Sequence, residues 1–261
     1  MGVYLNLAQA IDNATQRLKY APVIKTGFWQ GVDTSNHPEM GTRELLNYSI
    51  SVLSTHMSID NLVKDVKPDL PWADDHFKER VSRIPYNPPP SEEWWPHAPQ
   101  GNRKFKKDGI FSHTYPERYW PKYAGIPSDH EDVLLGIRFP YGDLDDLISM
   151  LKKDPMTRQA YLPVWFPEDL GAPIDQRKPC TLGYHFIMRD NALHIVYFIR
   201  SCDFYRHFRN DIYLTVKLQH WVLEQLQWKE VVPGSFTMHI TSLHLFLNDH
   251  LKLFGAENEN K

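Results

Sequence analysis

The chain has 261 residues, 42% of them hydrophobic, a formal net charge of −3 and two cysteines, Cys180 and Cys202. That length supports one sizeable core, and a single domain over residues 1–261 is expected. The acid excess argues against polymeric nucleic acid as the main partner, two thiols cannot build a disulfide framework, and no signal peptide or long apolar run points to a membrane, so a reducing cytoplasm is expected.

Along the chain, the spacing of Leu7, Ile11, Ala14 and Leu18 predicts a helix over 5–20 that Pro22 ends. Residues 25–40 are turn-rich, with Gly27, Gly31 and Pro38. Thr42 is a plausible N-cap for a helix over 43–54, with Glu44 in its first turn and Leu45, Leu46, Ile50 and Leu53 at helical spacing. A short helix over 58–66 stops before Pro68, and Trp72-Ala73-Asp74-Asp75 follows. Residues 84–127 hold Pro88-Pro89-Pro90 and the basic run from Arg103 to Lys107; such proline density excludes long regular elements, and a solvated irregular insertion is expected.

Leu144, Leu147, Ile148 and Leu151 predict a helix over 143–153, acidic at its start and basic at its end as the helix dipole prefers. Strands are predicted over 160–165 and 182–188, and a turn over 189–192 leads into a strand over 193–199, which makes an antiparallel hairpin. Asn210-Asp211 caps a long helix whose stripe is Leu214, Leu218, Trp221, Val222 and Leu226, and residues 235–240 alternate as a strand.

The densest chemistry lies between residues 179 and 211: Pro179-Cys180, about twenty residues later Arg200-Ser201 and Asp203, then Asp211 within Phe208-Arg209-Asn210-Asp211. This pattern resembles the thymidylate synthase superfamily, whose Asn eight positions after the Asp is replaced here by Asp211. That replacement and Thr181 after Cys180 are similar to the phage deoxycytidylate hydroxymethylase branch. The resemblance covers most of residues 43–250 and implies an α/β fold with a bent, mostly antiparallel sheet, packed helices and a homodimer through the sheet. It implies Cys180 as the nucleophile at C6 of a pyrimidine, Glu44 and Tyr115 as proton-handling residues, and Asp211 as the reader of the base edge. Arg200, Ser201 and, from a second subunit, Arg158 of Asp154-Pro155-Met156-Thr157-Arg158-Gln159 would hold the phosphate. Gln159 stands where the family has a second Arg, and Lys25 or Arg209 would compensate. His244 would bind the sugar hydroxyl, although Phe246 lacks the phenol of the family's His-x-Tyr pair. Asp203 and Trp72 would face 5,10-methylenetetrahydrofolate, the implied co-substrate.

An Asp at the base edge implies cytosine, whose N4 amino group and protonated N3 both donate, whereas O4 of uracil accepts. Deoxycytidylate (dCMP) is therefore the expected substrate, and a chain ending soon after His250 suggests a wet site that favours hydroxymethylation. The alternatives are a C5-methyltransferase acting on dCMP or deoxyuridylate (dUMP), and a catalytically silent nucleotide- or RNA-binding relative. Structural roles compete for several residues: Asp211 as a helix cap, Glu44 as a dipole partner, Lys25 as a solvated side chain and Trp72 as a packing aromatic. The 13 histidines show no paired ligand spacing of the zinc type, and no metal is expected.

Overall fold

The computed structural model describes residues 2–25, 27–29, 32–97, 106–124, 140–171 and 177–255. In the first half the elements are β1 (Gly2–Tyr4), α1 (Leu7–Lys19), β2 (Val23–Ile24), β3 (Phe28–Trp29), β4 (Val32–Asp33), β5 (Thr42–Val52), α2 (Ile59–Val66), α3 (Trp72–Arg80), β6 (Lys106–Lys107), β7 (Ile110–Phe111) and α4 (Tyr115–Tyr119). There follow α5 (Leu144–Lys153), β8 (Tyr161–Pro163), α6 (Glu168–Gly171), β9 (Thr181–Arg189), β10 (Ala192–Asp203), α7 (Arg209–Leu226), β11 (Val232–Phe246) and α8 (Leu247–Phe254).

Seven strands share one sheet in the order β1-β5-β11-β10-β9-β8, with β2 also on β5. The pairs β1·β5 and β10·β11 are parallel and the others antiparallel. This is the expected mixed α/β architecture with a mostly antiparallel sheet. Strand β10 shifts register against β11 near Leu193 and against β9 near Phe198, and such irregularities bend a strand.

One element differs in kind from the sequence reading. Residues 43–54 do not form a helix; strand β5 pairs with β11 from Val52–Phe236 to Thr42–Phe246. Tyr48, Ile50 and Val52 alternate as readily as the leucines recur, and the open edge of β11 decides between two periods that the short run fits equally.

The core lies between the sheet and its helices. On α1 the buried side chains are Leu7, Ala10, Ile11, Ala14 and Leu18, a stripe at helical spacing, and Asn6 caps the start by accepting from the Gln9 N–H. Helix α7 packs on β10 and β11 and against α2, α3 and α5. Its Leu214, Leu218, Val222 and Leu226 are buried, each stabilising the fold by roughly 2 kcal/mol. On the opposite face of the sheet Val196, Phe198, Thr237 and His239 stay half-buried. A hollow of about 210 Å³ there is lined by Ser49, Leu182, Phe198, His239 and Thr241, among others.

In the expected irregular stretch the described residues form a 3-10 turn (Pro90–Trp94), the β6–β7 hairpin and short α4. Arg103, Lys104 and Phe105 of the basic run lie outside the described residues. Among the described residues, no helix is long and apolar enough to cross a membrane.

Candidate active site

The β9–β10 hairpin sets the thiol. Cys180 directly precedes β9, and its carbonyl accepts from the Arg200 N–H at 2.9 Å. The Arg200 side chain clasps the same turn, donating from Nε to the Pro179 carbonyl (2.9 Å) and from Nη2 to that of Lys178 (3.1 Å). Two of its five donors are thereby spent, and its cation lies 5.7 Å from the centre of the Trp165 ring. Along β10 and β11, Ser201 stands opposite Ser242 and Asp203 opposite His244.

Cys180 is partly exposed and Cys202 buried. Burial raises the Cys180 thiol pKa; Arg200 and Arg177 pull it down, while Asp211 and Asp203 push it up. In the free protein desolvation outweighs the pull of the two cations.

Asp211 is not the helix cap. A π-helical turn, Phe204–Phe208, runs directly into α7, and Asp203 caps it by accepting from the N–H groups of Tyr205 (3.0 Å) and Arg206 (3.1 Å). Asp211 lies one turn further on, where the Cys202 thiol donates to its Oδ2 at 3.6 Å. Burial pushes its pKa up to about 7, against the pull of Arg80 and the Cys202 hydrogen bond. The Thr181 hydroxyl lies 3.2 Å from the Tyr115 phenol and 2.8 Å from that of Tyr197. Burial, with Cys180 and Asp211 adding to it, drives the Tyr115 phenol up to about 12, and Arg80 opposes the rise. Cys180, Tyr115 and Asp211 therefore feel one another's charge, as a set of groups sharing one small site must.

Residues 128–256 match the thymidylate synthase family model. That match covers just under half of the chain. It is 28% identical over 109 residues to a protein of Methanosarcina barkeri that bears a provisional thymidylate synthase name, which covers 41% of this chain and 46% of that one. It is 27% identical over 109 residues to the thymidylate synthase of Rhodopseudomonas palustris, covering 41% of this chain and 35% of the relative. It is also 27% identical over 164 residues to the deoxyuridylate hydroxymethyltransferase of Bacillus phage SP01, covering 56% of this chain and 37% of the phage protein. The matches thus span less than half the length of these relatives.

The structure separates the expected site residues. Arg200, Ser201, Asp203 and His244 sit together at the β10–β11 ends, beside Cys180 and Asp211. Glu44 does not reach the thiol from a helix: on β5 it stands opposite His244 and accepts a hydrogen bond from the Ser242 hydroxyl. Arg158 and Lys25 are exposed on the surface, and Arg209 donates to the Val66 carbonyl at 2.7 Å. Asn210 bridges to Asp69 through both its carboxamide atoms, a suture between α7 and the turn after α2.

Sequence reasoning missed Arg80, His76, Glu79, Arg177, Trp95 and His207. Trp72 stacks on His76 (4.9 Å between ring centres) and lies 5.9 Å from Trp95, which stacks in turn on His207 at 5.1 Å. The spacing of Trp72, His76 and Arg80 by four was legible as one helix stripe, and a cation on a buried stripe signals a site. Among the described residues no group of three or more His, Cys, Asp or Glu is arranged to hold a metal ion.

Proposed function

We propose that this protein is a deoxycytidylate 5-hydroxymethyltransferase that uses 5,10-methylenetetrahydrofolate. The observation that carries the reading is the position of Asp211, released from capping, titrating near neutrality and sharing its cluster with Cys180. A neutral carboxyl at that place donates to N3 of cytosine and accepts from the N4 amino group, one proton satisfying both partners. Donation to N3 draws electrons from C6, where the Cys180 sulfur forms its bond as the thiol proton passes to solvent water.

Methylenetetrahydrofolate supplies the one-carbon unit at the oxidation level of formaldehyde. The indole N–H groups of Trp72 and Trp95 are buried and without a hydrogen-bond partner among the described residues, and the stack they belong to suits a flat, acceptor-bearing heterocycle. The Tyr115 phenol oxygen accepts a hydrogen bond from a water that carries off the proton C5 loses. C5 would bond to the one-carbon unit, and tetrahydrofolate would depart from that carbon as C5 loses its proton; water would then add to the exocyclic methylene while the C6–sulfur bond breaks, restoring the base and Cys180. Arg200 and Ser201 hold the phosphate, His244 the sugar and Asp203 the folate edge. We further assign a homodimer through the half-exposed sheet face, with Arg158 reaching the partner's phosphate, in a cytoplasm that keeps Cys180 reduced.

The phage relative's name favours one second reading, dUMP as substrate. A neutral Asp211 offers a donor to O4 and an acceptor to N3–H of uracil, so that pairing is chemically open. Incubation with dCMP or dUMP and methylenetetrahydrofolate, followed by mass measurement of the nucleotide, separates the cases. The expected product is dCMP enlarged by CH2O. Gain of CH2 with dihydrofolate formation indicates methylation, and an unchanged nucleotide pool refutes the enzyme reading.

A further inference from the structure

Tyr115, Thr181 and Tyr197 bring their hydroxyls into a row. Thr181 and Tyr197 are each 1% exposed, and the Thr181 hydroxyl donates to the Tyr115 oxygen at 3.2 Å and lies 2.8 Å from that of Tyr197. A threonine hydroxyl has one hydrogen and two lone pairs. With that hydrogen spent on Tyr115, the donor across the shorter gap is Tyr197. Both buried hydroxyls are thereby satisfied, and the row runs in one direction, from Tyr197 through Thr181 to Tyr115. The Tyr115 oxygen receives, and keeps its own hydrogen and a second lone pair for other partners. Rings brace the row from behind: Tyr197 of β10 stacks on Tyr184 of β9, 4.8 Å between centres and 13° between planes, and Tyr184 meets Tyr119 edge-on at 6.0 Å. Tyr119 is on α4, one turn after Tyr115, so the circuit closes on the helix that carries the phenol. The Arg80 guanidinium covers the other ring, 4.1 Å from the Tyr115 centre.

We propose that Thr181 and Tyr197 are positioning residues of the site: Tyr197 orients the Thr181 hydroxyl, and Thr181 fixes the Tyr115 phenol oxygen in place for the water that removes the C5 proton. The kinetic role rests on the reading under Proposed function; the hydroxyl chain does not. Stacking and edge contacts would hold these rings with no hydroxyl at all, whereas the two directed hydrogen bonds act on a single atom, the Tyr115 oxygen. Thr181 follows Cys180 directly, so the same bond ties that oxygen to the stretch of chain that carries the thiol. The donated hydrogen bond also opposes the burial that raises the Tyr115 phenol.

Thr181→Val keeps the branched shape and removes the donor. With dCMP and methylenetetrahydrofolate, its kcat for C5 tritium release is expected to fall about tenfold or more with little change in KM, and Thr181→Ser to recover most of that loss. Thr181→Val also strands the Tyr197 hydroxyl and so weakens the fold. Adding Tyr197→Phe removes both polar partners and is expected to return the urea midpoint towards wild type while kcat stays low. An unchanged kcat in Thr181→Val, or a kcat that recovers along with the midpoint in the double variant, overturns the positioning role. Should Thr181→Val not fold, the double variant carries the kinetic test. Carbon-13 NMR of the Tyr115 Cζ, assigned by its loss in Tyr115→Phe, reads the hydrogen bond without turnover. That resonance is expected to shift in Thr181→Val and in the double variant, and an unmoved resonance overturns the chain. A shifted resonance in a protein whose wild type releases tritium from neither dCMP nor dUMP supports the hydroxyl chain and refutes the enzyme reading, so the two failures are distinct.

Discussion

Two aspartates at the β10–α7 junction, eight positions apart, sit in opposite surroundings. Asp203 caps the π-helical turn, pairs with Arg206 at 2.7 Å and lies near His207 and His244, and these partners hold its carboxyl below the usual range despite burial. Asp211 meets a buried thiol and one cation of another helix, and desolvation wins, raising it to about 7. The same side chain is held as a carboxylate in the first place and drawn toward the neutral acid in the second. Count and placement of donors, rather than residue type, decide which.

The comparison is broken most forcefully through the sulfurs. Cys180→Ala is expected to lower C5 tritium release from dCMP by about 10³-fold or more. Cys202→Ala, which only removes the thiol donor to Asp211, should stay within about tenfold of wild type. Equal losses would show that the junction, not the Cys180 sulfur, carries the reaction.

Stability against pH sharpens the contrast. The raised Asp211 pKa contributes stability that is full below its unfolded value of about 3.9 and is lost as pH rises through about 7. Asp211→Asn should therefore be more stable than wild type at pH 8, by about 2–4 kcal/mol in urea unfolding, with the gain absent at pH 4. Asp203 has the opposite sign: its stabilisation is present above the unfolded pKa and lost as pH falls through its lower folded value. Asp203→Asn should cost about 1–3 kcal/mol at neutral pH, and less in strong acid. Smallest is Lys252→Ala, which removes a half-exposed cation beside buried Asp249, a partner of Arg206. Its cost should stay below about 1 kcal/mol, and a larger loss would mean that the scaffold network is more tightly coupled than its exposure implies.

Much of this junction was legible in the sequence. The β9–β10 hairpin and the run from Cys180 to Asp211 follow from alternation and motif spacing, and α1, α2 and α5 lie close to their expected bounds. The capping assignment at Asp211 failed because a π-helical turn adds a turn of chain before α7, which no spacing rule reveals. Glu44 was misplaced with the helix expected at β5, since pairing to β11 is a tertiary fact. Arg80 and Trp95 went unseen for the same reason: their partners, Tyr115 and His207, are distant along the chain.

The central claim is that Asp211 reads the base presented to Cys180. Tritium release from C5 of dCMP and of dUMP, measured in competition for wild type and Asp211→Asn, tests it most directly. Above pH 7 wild type should prefer dCMP, because ionised Asp211 accepts from the N4 amino group and repels O4 of uracil, and Asp211→Asn, which has no ionised form, should lose that preference by a factor of about ten or more. An unchanged ratio of the two nucleotides in the variant would contradict the account.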